Sequence, residues 1–442
     1  MKIFAWMTLG AAGLAIVACN NDTKYSVGGT LTGLSGQGLV LEDNSGNPLS
    51  LASNGAFVFT DGVTNGDAYS VTVETQPSNP SQTCTVHNGS GTIDKAAVTN
   101  VIVSCTQAGR FAFVANELSN DLSVYAIDSS TGYLTPVASS PFAASGTAPA
   151  SLVVDPNGQY LYVVDNASND VSVYSIDSTS GALTPTGTPS ATGTSPDAVV
   201  VDPTDTYLYV ANLASNTVSA YTIASSTGLL TELSNSPFAV GTEPTSLKID
   251  PNGNFLYVTD FSDGNVTVLA IDSATGSLSA IPGSPFGAGA GAVSIAIDPA
   301  GTFAYVANET AATISEYSIN ASTGALTAVS GSPLASGTSP ESLAIDPSGL
   351  FVYATNVTAD NKVAAYSITP SSGALTLSGS PLAAGSFPIS IAIDSSGLFA
   401  YVANENSNDI SVYAINASTG ALTPAAHSPF AAGSEPRSIA IN

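Results

Sequence analysis

Positive charge is what this 442-residue chain has least of. Seven lysines and arginines stand against 33 acids, a formal net charge of −26. That balance excludes a nucleic-acid groove and a surface held to anionic lipid by charge. Histidine occurs twice and cysteine three times. With Cys19 set aside in the N-terminal segment only two cysteines are left, which argues against a structural thiolate zinc site, and no CxxC pair is present. Charged residues make up only 9% of the chain, so its surface rests on Ser, Thr, Asn and Gly, a composition that fits an extracellular or cell-surface setting. No apolar run is long enough to be read as a membrane span. The best, Phe4 to Ala18, is too short.

What the chain has in abundance is repetition. An aromatic phrase returns seven times: Phe113-Val114-Ala115-Asn116, then from Tyr162, Tyr209, Tyr257, Tyr305, Tyr353 and Tyr401. Steps of 47 to 49 residues between these positions signal a stacked repeat architecture. Within one repeat, Ser342 to Asp346 alternates as a strand does, and Pro347-Ser348-Gly349 breaks it. Leu350–Thr355, Lys362–Ile368 and Ala374–Leu377 follow as three more strands, with turns at Asn356–Asn361 and Ser371-Ser372-Gly373. Four antiparallel strands in a meander make one propeller blade. The first repeat starts at Gly109-Arg110-Phe111, without an innermost strand. The last ends in Pro436–Asn442, an innermost strand with nothing after it. The spacing therefore predicts an all-β, seven-bladed propeller over 109–442, closed by its C-terminal strand so that no sheet edge stays open.

These motifs, with the Asp-Pro-x-Gly turns (Asp155, Asp250, Asp298, Asp346) and the Ser-Thr-Gly turns (Gly132, Gly228, Gly324, Gly420), resemble the YVTN-type, lactonase-like propellers of the 6-phosphogluconolactonase-like fold family. The resemblance covers 109–442. It rests on turn and packing residues, so it implies the scaffold and leaves the chemistry open.

Residues 1–18 resemble a bacterial lipoprotein signal, in which Cys19 becomes the lipidated first residue. Residues 19–24 then form a short linker. An ordinary secretory signal is the alternative. Asn20 after the cysteine suggests outer-membrane sorting, so a lipid-anchored protein of the bacterial cell envelope is expected. Residues 25–106 read as a small β-sandwich. Strand-like runs occur at 38–42, 56–60, 69–74, 84–86 and 101–105, with turn signals at Asn44-Ser45-Gly46 and Ser53-Asn54-Gly55. In an exported chain Cys84 and Cys105 are expected to pair and staple this module.

Chemistry is sought where repeats differ at the channel mouth. The residue after the leading proline or its equivalent runs Ala150, Asp197, Thr245, Val293, Glu341, Ile389, Arg437, and its three charged members are ligand-contact candidates. Solvated loop charges are the plainer reading. In a deeper column of small apolar residues, Lys248 is the exception: it snorkels with its stem packed between blades, finds a carboxylate, or points into the channel. Glu117, Glu309 and Glu405, with Asp165 and Asp260, would suit calcium only if they converged. They are read as solvated loop acids spread around a wide ring, and no metal site or cofactor is assigned. The Ser column (Ser151, Ser246, Ser294, Ser342, Ser390, Ser438) recurs without histidine, as a packing residue would. His427, the propeller's one histidine, is placed nearer the rim.

The function expected from these residues is a ligand- or protein-binding scaffold without catalysis. If a ligand site exists, Asp197, Lys248, Glu341 and Arg437 form it. The alternative, implied by the resemblance, is a lactonase acting at the channel mouth. A monomer is expected, held to the membrane by its lipid and meeting a protein or glycan partner. Replacing Cys19 with Ala is expected to move the protein from the membrane fraction to the soluble one. An Ala variant that stays membrane-bound refutes the anchor.

Overall fold

The structure, a computed structural model, describes residues 23–34, 37–44, 46–77, 82–107, 109–358 and 360–442. Cys19 lies outside the described residues. The chain divides into two compact units, Met1–Ala108 and Gly109–Asn442. Among the described residues no helix is long and apolar enough to cross a membrane.

The first unit is a sandwich of two four-stranded sheets. One sheet sets Val27–Thr32 between Gly55–Val58 and Val98–Gln107, with Gln82–His87 at its edge. The other orders Asn47–Leu51, Leu39–Asp43, Ala68–Thr75 and Ser90–Thr92. Alternate residues of both sheets, Val27, Leu31, Leu39, Leu41, Val101 and Val103 among them, are buried between the sheets. Cys84 and Cys105 sit directly opposite on paired antiparallel strands and are bridged.

The second unit is the seven-bladed propeller. In the sixth blade the inner strand is Pro340–Ile345, followed by Phe351–Asn356, Lys362–Ile368 and Leu375–Leu377 in an antiparallel meander. The second strand is buried along its whole length because neighbouring blades cover both its faces. Asp346 fixes the first turn: its Oδ1 accepts from the backbone N–H of Leu350 (3.0 Å) and Phe351 (2.8 Å). One element escaped the sequence reading. In every blade a further two-residue strand, here Leu382–Ala383, pairs with the start of the third strand.

Ring closure follows the predicted scheme. Pro436–Ile441 pairs antiparallel with Phe111–Asn116, setting Ile441 opposite Ala112 and Ile439 opposite Val114. Asn442 takes the role that the turn aspartate has elsewhere: its Oδ1 accepts from Phe111 N at 2.6 Å. Arg110 then locks the seam to the seventh blade, at 3.1 Å from Asp394 and 2.6 Å from Ser395 Oγ.

Blades are bolted to each other at one recurring joint. Gly324, in the Ser-Thr-Gly turn of the fifth blade, has a φ of +72°, and a Cβ there would lie 2.5 Å from the Phe255 ring of the fourth. The signature tyrosine of that same fourth blade, Tyr257, donates its hydroxyl proton to the Gly324 carbonyl at 3.0 Å. Tyr162, Tyr209, Tyr305 and Tyr353 make the same bond to Gly228, Gly276, Gly373 and Gly420. The serine column is a packing column too. Ser246, Ser294, Ser342, Ser390 and Ser438 each accept, through Oγ, a backbone N–H from the next inner strand.

Gly324→Ala is therefore expected to destabilise the propeller by roughly 2–4 kcal/mol, combining a left-handed alanine with a steric clash. Gly331→Ala, at φ +98° with open space around it, should cost only the backbone share, about 1 kcal/mol. Denaturant unfolding of the two variants measures the difference. Equal losses would remove the aromatic contact from the explanation.

Candidate active site at the channel mouth

The mouth is built by a repeated irregularity. Each inner strand is preceded by a residue at positive φ: Ala148, Ser195, Glu243, Gly291, Ser339, Phe387 or Glu435. For non-glycine residues this conformation costs about 1–2 kcal/mol, so something must hold it. The carbonyl of each accepts from the residue that follows the signature Asn or Asp, as in Glu117 N to Glu435 O at 2.9 Å and Glu405 N to Phe387 O at 2.9 Å. In five blades an asparagine side chain also caps the N–H of this residue, as Asn408 does for Glu435 at 2.8 Å.

Two residues later the register of every inner strand slips, a β-bulge that places one residue out of the ladder. Bulges re-aim side chains. The bulged positions are the column Ala150, Asp197, Thr245, Val293, Glu341, Ile389 and Arg437, with Ser342 sharing the slip in the sixth blade. Inner strands lie side by side around the ring in blade order, the C-terminal one between those of the second and seventh blades. Asp197 and Glu341 therefore each stand two blades from Arg437, on opposite sides, separated from it by Ala150 and Ile389.

Arg437 is the centre of the site. Its Nε lies 3.2 Å from Glu117, one Nη lies 3.5 Å from Glu405, and the other lies 3.7 Å from Asp197. Only the first is within ordinary hydrogen-bond length, so the guanidinium is anchored through Nε while both Nη groups are held loosely. Glu405 Oε2 is buried and has no hydrogen bond. Burial works against the charge of Arg437, but Asp197, Glu117, Glu405 and Glu341 outweigh it and raise its pKa. Burial also raises the carboxyls of Asp197 and Glu405, against the pull of Arg437. Glu341 is pushed up to about 8, first by burial and then by Glu309, with Arg437 opposing. That shift favours the protonated acid at neutral pH.

The glutamates after the signature phrase are thus not idle loop charges. Glu117 and Glu405 pair with Arg437, and Glu309 acts on Glu341. The sequence held the clue: Glu117 and Glu405 belong to the first and seventh blades, which meet at the closure seam beside Arg437. Among the described residues no three His, Cys, Asp or Glu side chains converge as metal ligands. His427 is exposed and stacks edge-on against Tyr133, 5.6 Å between ring centres, away from the mouth.

Lys248 does not join this cluster. It lies three residues further along its strand than Thr245, about 10 Å at strand rise, and no carboxylate shifts its pKa. Asp165 and Asp260 are fully buried. Each accepts one hydroxyl, from Ser172 and Thr267, both at 2.6 Å.

Asp165 also faces Asp170 across its hairpin. The equivalent Asn116 donates to Asp121 at 2.7 Å, a bond an ionised Asp165 has no proton to make. Burial, opposed by Ser172 and reinforced by Asp170, raises the Asp165 pKa to about 7.

With these features in place, comparison with known proteins defines the class. The chain belongs to the lactonase family of seven-bladed β-propellers, whose profile matches residues 67–248 and 238–439. Solved structures similar to it include a candidate 6-phosphogluconolactonase of Bacteroides uniformis. That structure has a TM-score of 0.68 and 22% identity, over 76% of this chain and all of the other. The periplasmic gluconolactonase of Pseudomonas aeruginosa gives 0.65 and 19%, over 75% of this chain and 98% of the other. A Lactobacillus plantarum protein gives 0.65 and 23%, over 76% and 99%. At such identities the likeness shows the fold. No curated protein matches the chain.

Because the Asp165 pKa is higher folded than unfolded, its stabilising share is complete below about pH 4 and is lost as pH rises to about 7. Asp165→Asn should add roughly 2 kcal/mol at pH 8 and little at pH 4. Urea unfolding at the two pH values checks this. An equal effect at both would show that Asp165 carries no extra proton.

Proposed function

We propose that the channel mouth hydrolyses uncharged lactones. The observation that carries this reading is a carboxyl, Glu341, whose pKa burial pushes up to about 8, sharing the mouth with the Arg437 guanidinium in a propeller of the lactonase family. Opening a lactone requires charge stabilisation at the carbonyl oxygen and a proton for the leaving ring oxygen. The loosely held Nη groups of Arg437 supply the first and the Glu341 carboxylic acid the second. Asp197, raised by burial, accepts the proton of the attacking water. Water adds to the carbonyl carbon, the ring C–O bond breaks, and a hydroxy acid leaves.

The site also selects. Glu117, Asp197 and Glu405 surround a single cation, so a phosphorylated or carboxylated lactone meets repulsion, while a hydroxyl-rich neutral sugar lactone finds acceptors. An envelope location, proposed from the N-terminal segment, would suit a neutral substrate arriving from outside. A second reading keeps the mouth as a non-catalytic binding site for glycans. It is favoured by the engagement of Arg437 with three carboxylates and by the place of His427 away from the mouth.

Hydrolysis of glucono-δ-lactone and 6-phosphogluconolactone by the wild type, Arg437→Ala and Glu341→Gln decides between the two. The neutral lactone should be the better substrate. Each substitution should cost about 100-fold in kcat, and wild-type activity should fall as pH rises past about 8, where Glu341 loses its proton. Absence of turnover, or turnover indifferent to both substitutions, refutes the hydrolase reading of this mouth.

A further inference from the structure

The first blade is joined to its neighbours differently from the rest. Among the described residues, five joints of the ring combine the glycine-on-ring contact with a bond from the signature tyrosine to the glycine carbonyl. The two that remain lie on either side of blade one. The glycine contact persists there: a Cβ would lie 2.4 Å from the Phe399 ring at Gly132 and 2.5 Å from the Phe111 ring at Gly181. The bond does not. Tyr401, which the pattern pairs with Gly132, has a buried hydroxyl without a hydrogen bond. Phe113, which holds the tyrosine's place toward the Gly181 turn, has no hydroxyl to donate. The first joint thus carries the cost of an unpaired buried hydroxyl, and the second lacks the bond altogether.

Charge stands where the tyrosine bonds are missing. The chain has two arginines, Arg110 and Arg437, and both act on blade one. Arg110 reaches Asp394 and Ser395 of blade seven, at 3.1 Å and 2.6 Å. Arg437, on the borrowed inner strand, holds Glu117 of blade one at 3.2 Å and approaches Glu405 of blade seven at 3.5 Å. The side chains of Arg437 and Glu117 are each 30% exposed, and an ion pair open to water is a weak tie. The outer rim does not make up the difference. Tyr125 donates to the Ala431 carbonyl at 2.6 Å, but in blade five Tyr317 makes the same bond to Gly287, also at 2.6 Å.

We propose that blade one is a gate: strands Phe111–Asn116, Asp121–Ile127 and Leu134–Pro136 leave the ring and return as one unit, below the free energy of global unfolding, with Arg110 and Arg437 as its latches. Units that open locally are those with the fewest buried ties. Glu117 rides on this blade, so each opening frees the Nε of Arg437 and widens the mouth. The gate does not depend on what the mouth binds or hydrolyses.

The repeat supplies its own control. Residues 111–116 read Phe-Ala-Phe-Val-Ala-Asn and 303–308 read Phe-Ala-Tyr-Val-Ala-Asn, both buried throughout, so their amides are chemically almost the same. In hydrogen–deuterium exchange of the full chain, read by mass spectrometry, 111–116 should exchange at least roughly 10-fold faster than 303–308, as two missing hydrogen bonds allow. Phe113→Tyr should slow 111–116 by roughly 5-fold, the worth of one hydrogen bond, and leave 303–308 as it was. Tyr305→Phe should speed 303–308 and spare 111–116. Arg110→Met should speed 111–116 alone. Equal exchange of the two segments in the wild type, or no response to Phe113→Tyr, would overturn the gate. So would a response shared by both segments, which would mean that exchange proceeds through global unfolding.

Discussion

The propeller depends on one contact between an aromatic ring and a carbon that carries no side chain. Each Ser-Thr-Gly turn, or its variant, lays a glycine Cα flat on the leading aromatic residue of the neighbouring second strand. In five of these joints the signature tyrosine also holds the turn by its carbonyl. The tyrosine has to be buried to reach the glycine, and a buried hydroxyl must find an acceptor. The glycine has to be bare for the ring to approach. Neither half works alone, which is why the two motifs recur together through the repeat. A stack of twisted sheets secured in this way leaves its inner strands free to carry differences.

Those differences gather at the mouth because the backbone there is locked. A left-handed residue, a cap and a bulge set the direction of seven side chains, whatever their identity. Such a frame tolerates Ala, Val, Thr or Ile at the bulge as readily as Asp, Glu or Arg. Three charged residues can then be brought to one mouth from blades that are not neighbours. The electrostatics follow from enclosure. With few cations available, each carboxylate near Arg437 competes for the same guanidinium, and the one left without a direct bond, Glu341, has its pKa pushed up to about 8.

How much of this the sequence reveals depends on whether a residue acts within its repeat or across the ring. Blade strands, turns and the closing strand were legible because their signals are local and seven times repeated. The mouth column was legible for the same reason. Its interactions were not. Glu117 and Glu405 are 288 positions apart in the chain and meet only through the seam. Lys248 shares a strand with a mouth position but sits at another depth, a separation that columns of letters do not express. In the sandwich, Val27–Thr32 was missed because Gly28 and Gly29 interrupt its alternation. Gly29 is demanded by the carbonyl of Val101 on the parallel strand beside it, so the same close packing that makes the strand central hides its pattern.

The seam has a consequence for the order in which the molecule assembles. Blades two to seven take all their strands from contiguous stretches, so each can form from hairpins as its own segment becomes available. The first blade cannot. Phe111 waits for Asn442, 331 positions away, and until that partner arrives the stacked blades are an open arc with two raw ends. Joining ends so distant carries the largest chain-closure cost in the fold, so this step comes last. The arc can pass through a narrow passage as a thread or a string of small units, and it becomes a rigid disc only once the far end is through.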